Sequence, residues 1–406
     1  AESRALKKAS KLGLTSKQKE RQKALIADLT VAQKAFISFV GKMREGFVTK
    51  GVARVVEVSE TSQQALQESQ NLLKTLGNGT VLLRYYMTDN KVNMLLTTPG
   101  VQLARSSVIK AADLKWEIAQ FRRLLRDRKS DPRPAAQALY QLLVAPVAKD
   151  LADAGAKTVM LSLDRKLRYL PFGALHDGQQ YLAQRWNLPI YTSVTKDKLR
   201  DTVTPQWQVA GLGVTQALGD FAALPAVKGE MAGIRGVLPG EVHLDKDFTA
   251  ARLKDVSQRE FQLLHVASHF RFSPGTEVNS FLLLGDGQYL TLGDIRSQNY
   301  RFDNVDLLTL SACETGRGGG RDKNGREIEG FGVIAQQQGA KAVLATLWKV
   351  ADQSTAELMA GMYQRRQDKN LTKIEALQQA QISLLSQAKY SHPYYWAPFV
   401  LMGNWK

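Results

Sequence analysis

Between residues 207 and 366, short apolar runs alternate with amphipathic stretches, and few architectures accept that alternation. Strands are expected at 209–214, 242–244, 261–267, 305–310 and 342–347, with helices near 225–237, 249–257, 329–338 and 354–366. A strand that feeds a helix and returns beside itself builds a parallel sheet with helices on both faces, a doubly wound α/β fold. Ligands in such sheets bind beyond the carboxyl ends of the strands, near the point where strand order reverses. Two of these ends carry reactive side chains. The run at 261–267 leads into His269, and the run at 305–310 leads into Cys313.

Cys313 is the only cysteine in the 406 residues. The thiolate is the attacking form of cysteine, and a free thiol with a pKa of about 8.5 is only slightly ionised at neutral pH. An adjacent imidazole raises its reactivity and later protonates a leaving amine. A thiol and an imidazole at one sheet edge therefore predict a cysteine peptidase, with Cys313 as nucleophile and His269 as base and then acid. The competing reading is a buried structural thiol, because free cysteine is among the most buried residue types.

Other residues invite weaker readings. His265 and His269 have the i,i+4 spacing of a zinc helix, but the intervening glutamate is missing and the run around them is strand-like. His265 is read as a half-buried strand residue, and neither a metal nor a cofactor is expected. His176 and His243 have no comparable setting, and His392, in His-Pro-Tyr-Tyr-Trp, is read as packing at the sheet's edge. Residues 316–326 combine glycines, which expose backbone amides, with arginines, which bind oxyanions. The Gly-Lys-Ser/Thr ending of a phosphate-binding loop is absent, which leaves a surface loop or a substrate-contacting one. Asp352 precedes the helix expected at 354–366, where a carboxylate caps the first turn.

Upstream of 206 the pattern changes. Strands at 81–86, 92–97 and 101–104, separated by turn residues, read as an antiparallel meander. Helices near 110–128 and 134–153 and a strand from Thr158 follow, giving an α/β half over 79–205 that contains no cysteine. Residues 1–78 read as helical. Ser16 is an N-cap, Leu25, Ile26, Leu29, Ala32, Phe36 and Val40 form an apolar stripe, and a second helix spans about 53–76. No 34-residue period marks these helices as tetratricopeptide units.

Six blocks in order resemble the CHAT peptidases, a caspase-like family of the clan that also holds separase and that is usually found behind tetratricopeptide repeats. They are Leu-Leu-His-Val-Ala-Ser-His-Phe (263–270), Ser-Phe-Leu-Leu-Leu-Gly-Asp-Gly (280–287), Leu-Ser-Ala-Cys-Glu-Thr-Gly (310–316), Glu-Gly-Phe-Gly (329–332), the run from Gln338 to Asp352, and His-Pro-Tyr-Tyr-Trp-Ala-Pro-Phe (392–399). With the segment at 167–175, the resemblance covers about residues 80–406. It implies a caspase-like doubly wound, mostly parallel sheet flanked by helices over 206–406, preceded by a degenerate, non-catalytic α/β half and an N-terminal helical region. It also implies that backbone amides near Phe270 and Cys313 hold the oxyanion. Phe270 stands where many relatives have glycine, and phenylalanine does not adopt the positive-φ conformations that glycine permits. Asp352 lies where clan relatives have the primary specificity pocket, so a preference for Arg or Lys before the scissile bond is expected. The loop at 316–328 matches the segment whose ordering, by a partner or by cleavage, controls such peptidases. A catalytically silent scaffold that binds a protein partner is the alternative.

Composition bounds these readings. The net charge of +17 raises the possibility of a nucleic-acid partner. Yet residues 1–80 carry 14 basic against 7 acidic side chains, a modest excess spread around helices, and a solvated basic face is expected instead. Protein or peptide substrates, and a regulatory protein or upstream repeat domain, are the expected partners. A single cysteine fits a reducing cytoplasm, while the opening Ala1 leaves room for a removed leader. No apolar run is long enough to predict a membrane span.

Overall fold

A computed structural model of the chain describes residues 58–271, 280–298, 300–311, 313–314, 326–348, 350 and 353–406, with side chains described outside 58–63, 313–314 and 326–331. The helix expected after Ser16, the loop at 316–325 and Asp352 lie outside the described residues. Helix α1 (Val58–Thr75) falls within the second helix expected from the sequence and is followed by Gly77, whose φ of 90° only glycine adopts readily. Strands β1 (Thr80–Met87), β2 (Lys91–Thr97) and β3 (Gln102–Val108) form the anticipated antiparallel meander. Helix α2 (Ala111–Arg126) turns Leu114, Ile118, Phe121 and Leu125 inward.

The single helix expected at 134–153 is two, α3 (Arg133–Leu143) and α4 (Ala145–Asp153), which meet at Val144. Pro146 is the cause. It has no N–H to give to the carbonyl four residues back and its ring crowds that carbonyl, so it is accommodated only in the first turn of a new helix. Strand β4 (Thr158–Ser162) pairs in parallel with β1 and completes the order β3-β2-β1-β4.

The second half runs β5 (Val209–Gly213), α5 (Ala226–Val237), β6 (Gly240–Leu244), α6 (Ala250–Gln258), β7 (Leu263–Ala267), β8 (Phe270–Arg271), β9 (Phe281–Leu283), β10 (Tyr289–Thr291), α7 (Leu292–Ser297), β11 (Leu307–Leu310), β12 (Cys313–Glu314), α8 (Arg326–Gln337), β13 (Ala342–Thr346), α9 (Gln353–Asp368), α10 (Lys373–Leu385) and β14 (Phe399–Gly403). Its main sheet has the order β14-β13-β11-β7-β5-β6, with every pair parallel except β13–β14. Strands β5, β7, β11 and β13 are buried along their whole length, as strands covered on both faces must be. From β5 the chain moves out to β6 and returns on the other side for β7. Strand order therefore reverses between β5 and β7, and it is beyond the carboxyl ends of strands at such a point that ligands bind in sheets of this kind.

Helix α5 sits unusually close to this sheet. A Cβ added at Gly211 would meet Met231 Sδ at 2.7 Å, and one at Gly213 would meet Val227 Cγ1 at 2.7 Å. Beyond the expected elements, a small sheet of order β10-β9-β8-β12 stands next to the main one. The two halves are joined by the segment at 187–190, in which Asn187 bridges to Thr158 and Ile190 bridges to both Leu161 and Met402. One apolar core runs through both. Among the described residues no helix is long and apolar enough to cross a membrane.

One buried cation makes stability depend on pH. Lys373 is fully buried in α10, donates to the Lys406 carbonyl, and burial pushes its ammonium down to about 7 against a partial pull from Asp306. In the unfolded chain the same group holds its proton up to about 10.4. Between these values the unfolded state binds the extra proton, so stability rises with pH by at most about 1.4 kcal/mol per unit. This contribution is fully present above the unfolded value and is lost as pH falls through 7. Denaturant midpoints measured from pH 7 to 9.5 are expected to climb in the wild type relative to Lys373→Met. Parallel profiles would refute the assignment.

Candidate active site

The candidate site lies beyond the carboxyl ends of β5 and β7, where strand order reverses. His269 follows β7 by two residues, is 1% exposed, and its Nε2–H donates to the carbonyl of Ala222 at 2.8 Å. A carbonyl only accepts, so in the neutral ring the proton sits on Nε2 and Nδ1 becomes the basic nitrogen. Phe221 packs on the same imidazole, with ring centroids 5.1 Å apart, and limits its rotation.

Ala222 belongs to the loop between β5 and α5, and that loop is tied down. The Asp245 carboxylate accepts from Thr215 N at 2.7 Å, Thr215 Oγ1 at 2.6 Å and Gln216 N at 3.2 Å. Burial opposes its ionisation, but these hydrogen bonds prevail and hold the carboxyl below its usual range. Gly285 lies against Asp245 from the other side, where an added Cβ would stand 1.7 Å from the Asp245 carbonyl oxygen. That close approach accounts for a glycine in the block at 280–287.

Past β7 the chain is held by β9. Ser268 Oγ donates to the Leu283 carbonyl at 2.6 Å, and Leu283 N donates to that of His269 at 2.9 Å. The next residue, Phe270, opens β8 and is in register with Cys313, the first residue of the parallel strand β12. Neighbouring strands lie about 4.8 Å apart, so the strand that opens one residue past the expected base runs one strand spacing from the strand that opens on the expected nucleophile. Phe270 is extended. It is not among the non-glycine residues with positive φ, which among the described residues are Arg165, Asp245 and Asn370, so phenylalanine here meets no conformational conflict.

The far side of His269 is aromatic. Phe221 makes edge contacts with Phe281 and Tyr289, the latter two are stacked at 4.2 Å, and the Arg271 guanidinium lies over Phe221 and Phe281 at 5.1 and 5.6 Å. His265, expected to be half-buried, is fully buried and hydrogen-bonded through both ring nitrogens, to Tyr363 and to Glu230. His392 donates through Nε2 to the Ser130 carbonyl at 3.0 Å and joins the two halves. His176 and His243 also lie elsewhere. His176 Nδ1 accepts from Gly178 N, and His243 pairs with Glu241.

The fold is of the caspase-like class. Its architecture is similar to that of the separase in two crystal structures of the Saccharomyces cerevisiae separase–securin complex, with TM-scores of 0.53 and 0.50 at 10% identity, covering 85% and 84% of this chain. The chain spans 31% of the length of the separase chain in each. The crystal structure of the Arg-specific cysteine proteinase gingipain R aligns over 72% of this chain and 74% of its own, at 11% identity and a TM-score of 0.43. The CHAT domain family model matches residues 133–404, and the chain belongs to that family. Among curated proteins, none matches the chain in sequence.

Proposed function

We propose that the chain is a cysteine-type endopeptidase in which Cys313 attacks a peptide carbonyl and His269 acts as base and then as acid. The observation that carries this reading is the hydrogen bond from His269 Nε2 to the Ala222 carbonyl, 2.8 Å long, on a residue whose neighbour Phe270 is in register with Cys313. A ring nitrogen held by a main-chain acceptor at a strand end is the third member of a nucleophile, base and orienter arrangement. In this reading Cys313 Sγ adds to the carbonyl carbon as its proton passes to His269 Nδ1. Main-chain N–H groups near Phe270 and Cys313 hold the oxyanion, and the same proton then goes to the departing amine as the acyl thioester forms. Water, deprotonated by His269, releases the carboxylate product and restores the thiol.

Asp352 is assigned to the floor of the pocket for the residue before the scissile bond. Control is assigned to ordering of the loop at 316–328 by a protein partner. The separase structures are of a complex with securin, which supports a protein in such a role. The test is labelling of Cys313 by a peptide electrophile ending in arginine. Labelling is expected to be slow in the isolated chain, absent in Cys313→Ala and strongly reduced in His269→Ala. Equal labelling with and without His269 would remove histidine from the mechanism and favour a silent scaffold.

A further inference from the structure

We infer that Glu230, His265, Tyr363, Thr309 and Ser311 form a polar clamp that sets the register of the strands leading to His269 and Cys313, and that they are positioning residues for the dyad. This rests on the peptidase reading above.

His265 and Thr309 are register partners on β7 and β11, and Ser311 stands one residue past the end of β11. Two atoms from the helices bridge these strands. Tyr363 OH, from α9, lies 2.9 Å from His265 Nδ1 and donates to Thr309 Oγ1 at 2.8 Å. Glu230 Oε1, from α5, lies 3.0 Å from His265 Nε2 and accepts from Ser311 Oγ at 2.6 Å. Each bridge therefore has one foot on β7 and the other on β11 or the residue just past it. His265, Thr309 and Tyr363 are fully buried, and Glu230 and Ser311 are 5% and 6% exposed.

Stability alone gives little reason to place such groups there. A polar side chain taken out of water must recover its lost hydration through hydrogen bonds, and apolar residues of similar volume pack at no such cost. What the bridges add is direction. A shift of β7 against β11 breaks both at once, whereas apolar contacts slide. The strands they join are those whose extensions carry His269, four residues past His265, and Cys313, two past Ser311. Glu230 also belongs to the helix entered from the loop that bears Ala222. Its carboxylate thus connects the three segments that meet where strand order reverses. The close seat of α5 on Gly211 and Gly213 lets Glu230 reach past β5 to β7 and β11.

The experiment uses the chain's single thiol. The rate of Cys313 alkylation by iodoacetamide is followed against pH in the wild type, Tyr363→Phe, Glu230→Gln, His269→Ala and Leu264→Val. Leu264 faces the opposite side of β7, so its variant lowers stability without touching the clamp. A paired imidazole lowers the midpoint of the profile below the ordinary thiol value of about 8.5. Tyr363→Phe and Glu230→Gln are expected to raise it by about one unit and to slow alkylation at pH 7 by about tenfold, because small displacements of a reacting pair are costly. Leu264→Val is expected to leave the midpoint unchanged. Should Glu230→Gln fail to fold, Tyr363→Phe carries the test, with circular dichroism verifying its fold. A midpoint unmoved in folded Tyr363→Phe while His269→Ala shifts it would overturn the clamp and spare the dyad. One that His269→Ala also leaves unmoved would overturn the dyad, and the clamp with it.

Discussion

Cys313→Ala is expected to abolish peptide-bond hydrolysis while shifting the melting temperature by only a few degrees, and His269→Ala to lower kcat/KM by about a thousandfold or more. The two losses should be similar because thiol and imidazole act as a unit, so removing either removes the same step. They should also fail to add in the double variant. His265→Ala should behave differently. It takes one hydrogen bond from each of Glu230 and Tyr363, which keep Ser311 and Thr309, and leaves a space where a fully buried imidazole stood, so its main signature is a lowered melting temperature with a smaller loss of turnover. Hydrolysis of a peptide substrate, assayed below the melting temperature of each variant, separates the three. Undiminished turnover in His269→Ala would exclude an imidazole base.

The parallel sheet was legible because fully buried strands read as continuous apolar runs with helical periodicity between them. The β5, β7, β11 and β13 runs all had this form. The split of one helix at Val144 was also in the sequence, as Pro146, but helical periodicity on both sides masked it. Less could be read of the site. His269 and Cys313 announce themselves as residue types at strand ends, whereas Ala222 contributes only a carbonyl, which every residue has. Its role follows from where the β5–α5 loop passes. The hydrogen bonds that join Glu230, His265, Tyr363, Thr309 and Ser311 link residues 35 to 98 positions apart, and no local pattern announces a contact of that range. The small sheet containing β8 and β12 leaves no signal in the sequence, because two-residue strands have no periodicity. Yet it is this sheet that sets Phe270 beside Cys313.

Asp352→Asn is expected to depress cleavage after Arg or Lys by about 30-fold or more, the effect of removing one partner of a desolvated charge pair worth about 2–5 kcal/mol. Asparagine is the informative replacement. Helix α9 begins at Gln353, so position 352 directly precedes its first turn, and Asn caps a helix about as well as Asp. Loss of the charge is thereby separated from loss of the cap, and the melting temperature should hardly change. A carboxylate has a second oxygen to offer a guanidinium even while one oxygen caps an amide, so the two roles are compatible. In the proposed pocket a local acid would also have a particular job. With a net charge of +17 the protein repels basic peptides at long range, and a preference for them must come from a short-range, water-excluded contact. Raising the ionic strength should therefore speed capture of arginine substrates by wild type and Asp352→Asn alike, while the ratio between the two persists, because a buried pair is screened far less than the surface. A peptide-library profile in which the unmutated protein prefers apolar or acidic residues before the scissile bond would refute the pocket assignment, and Asp352 would then be a helix cap alone.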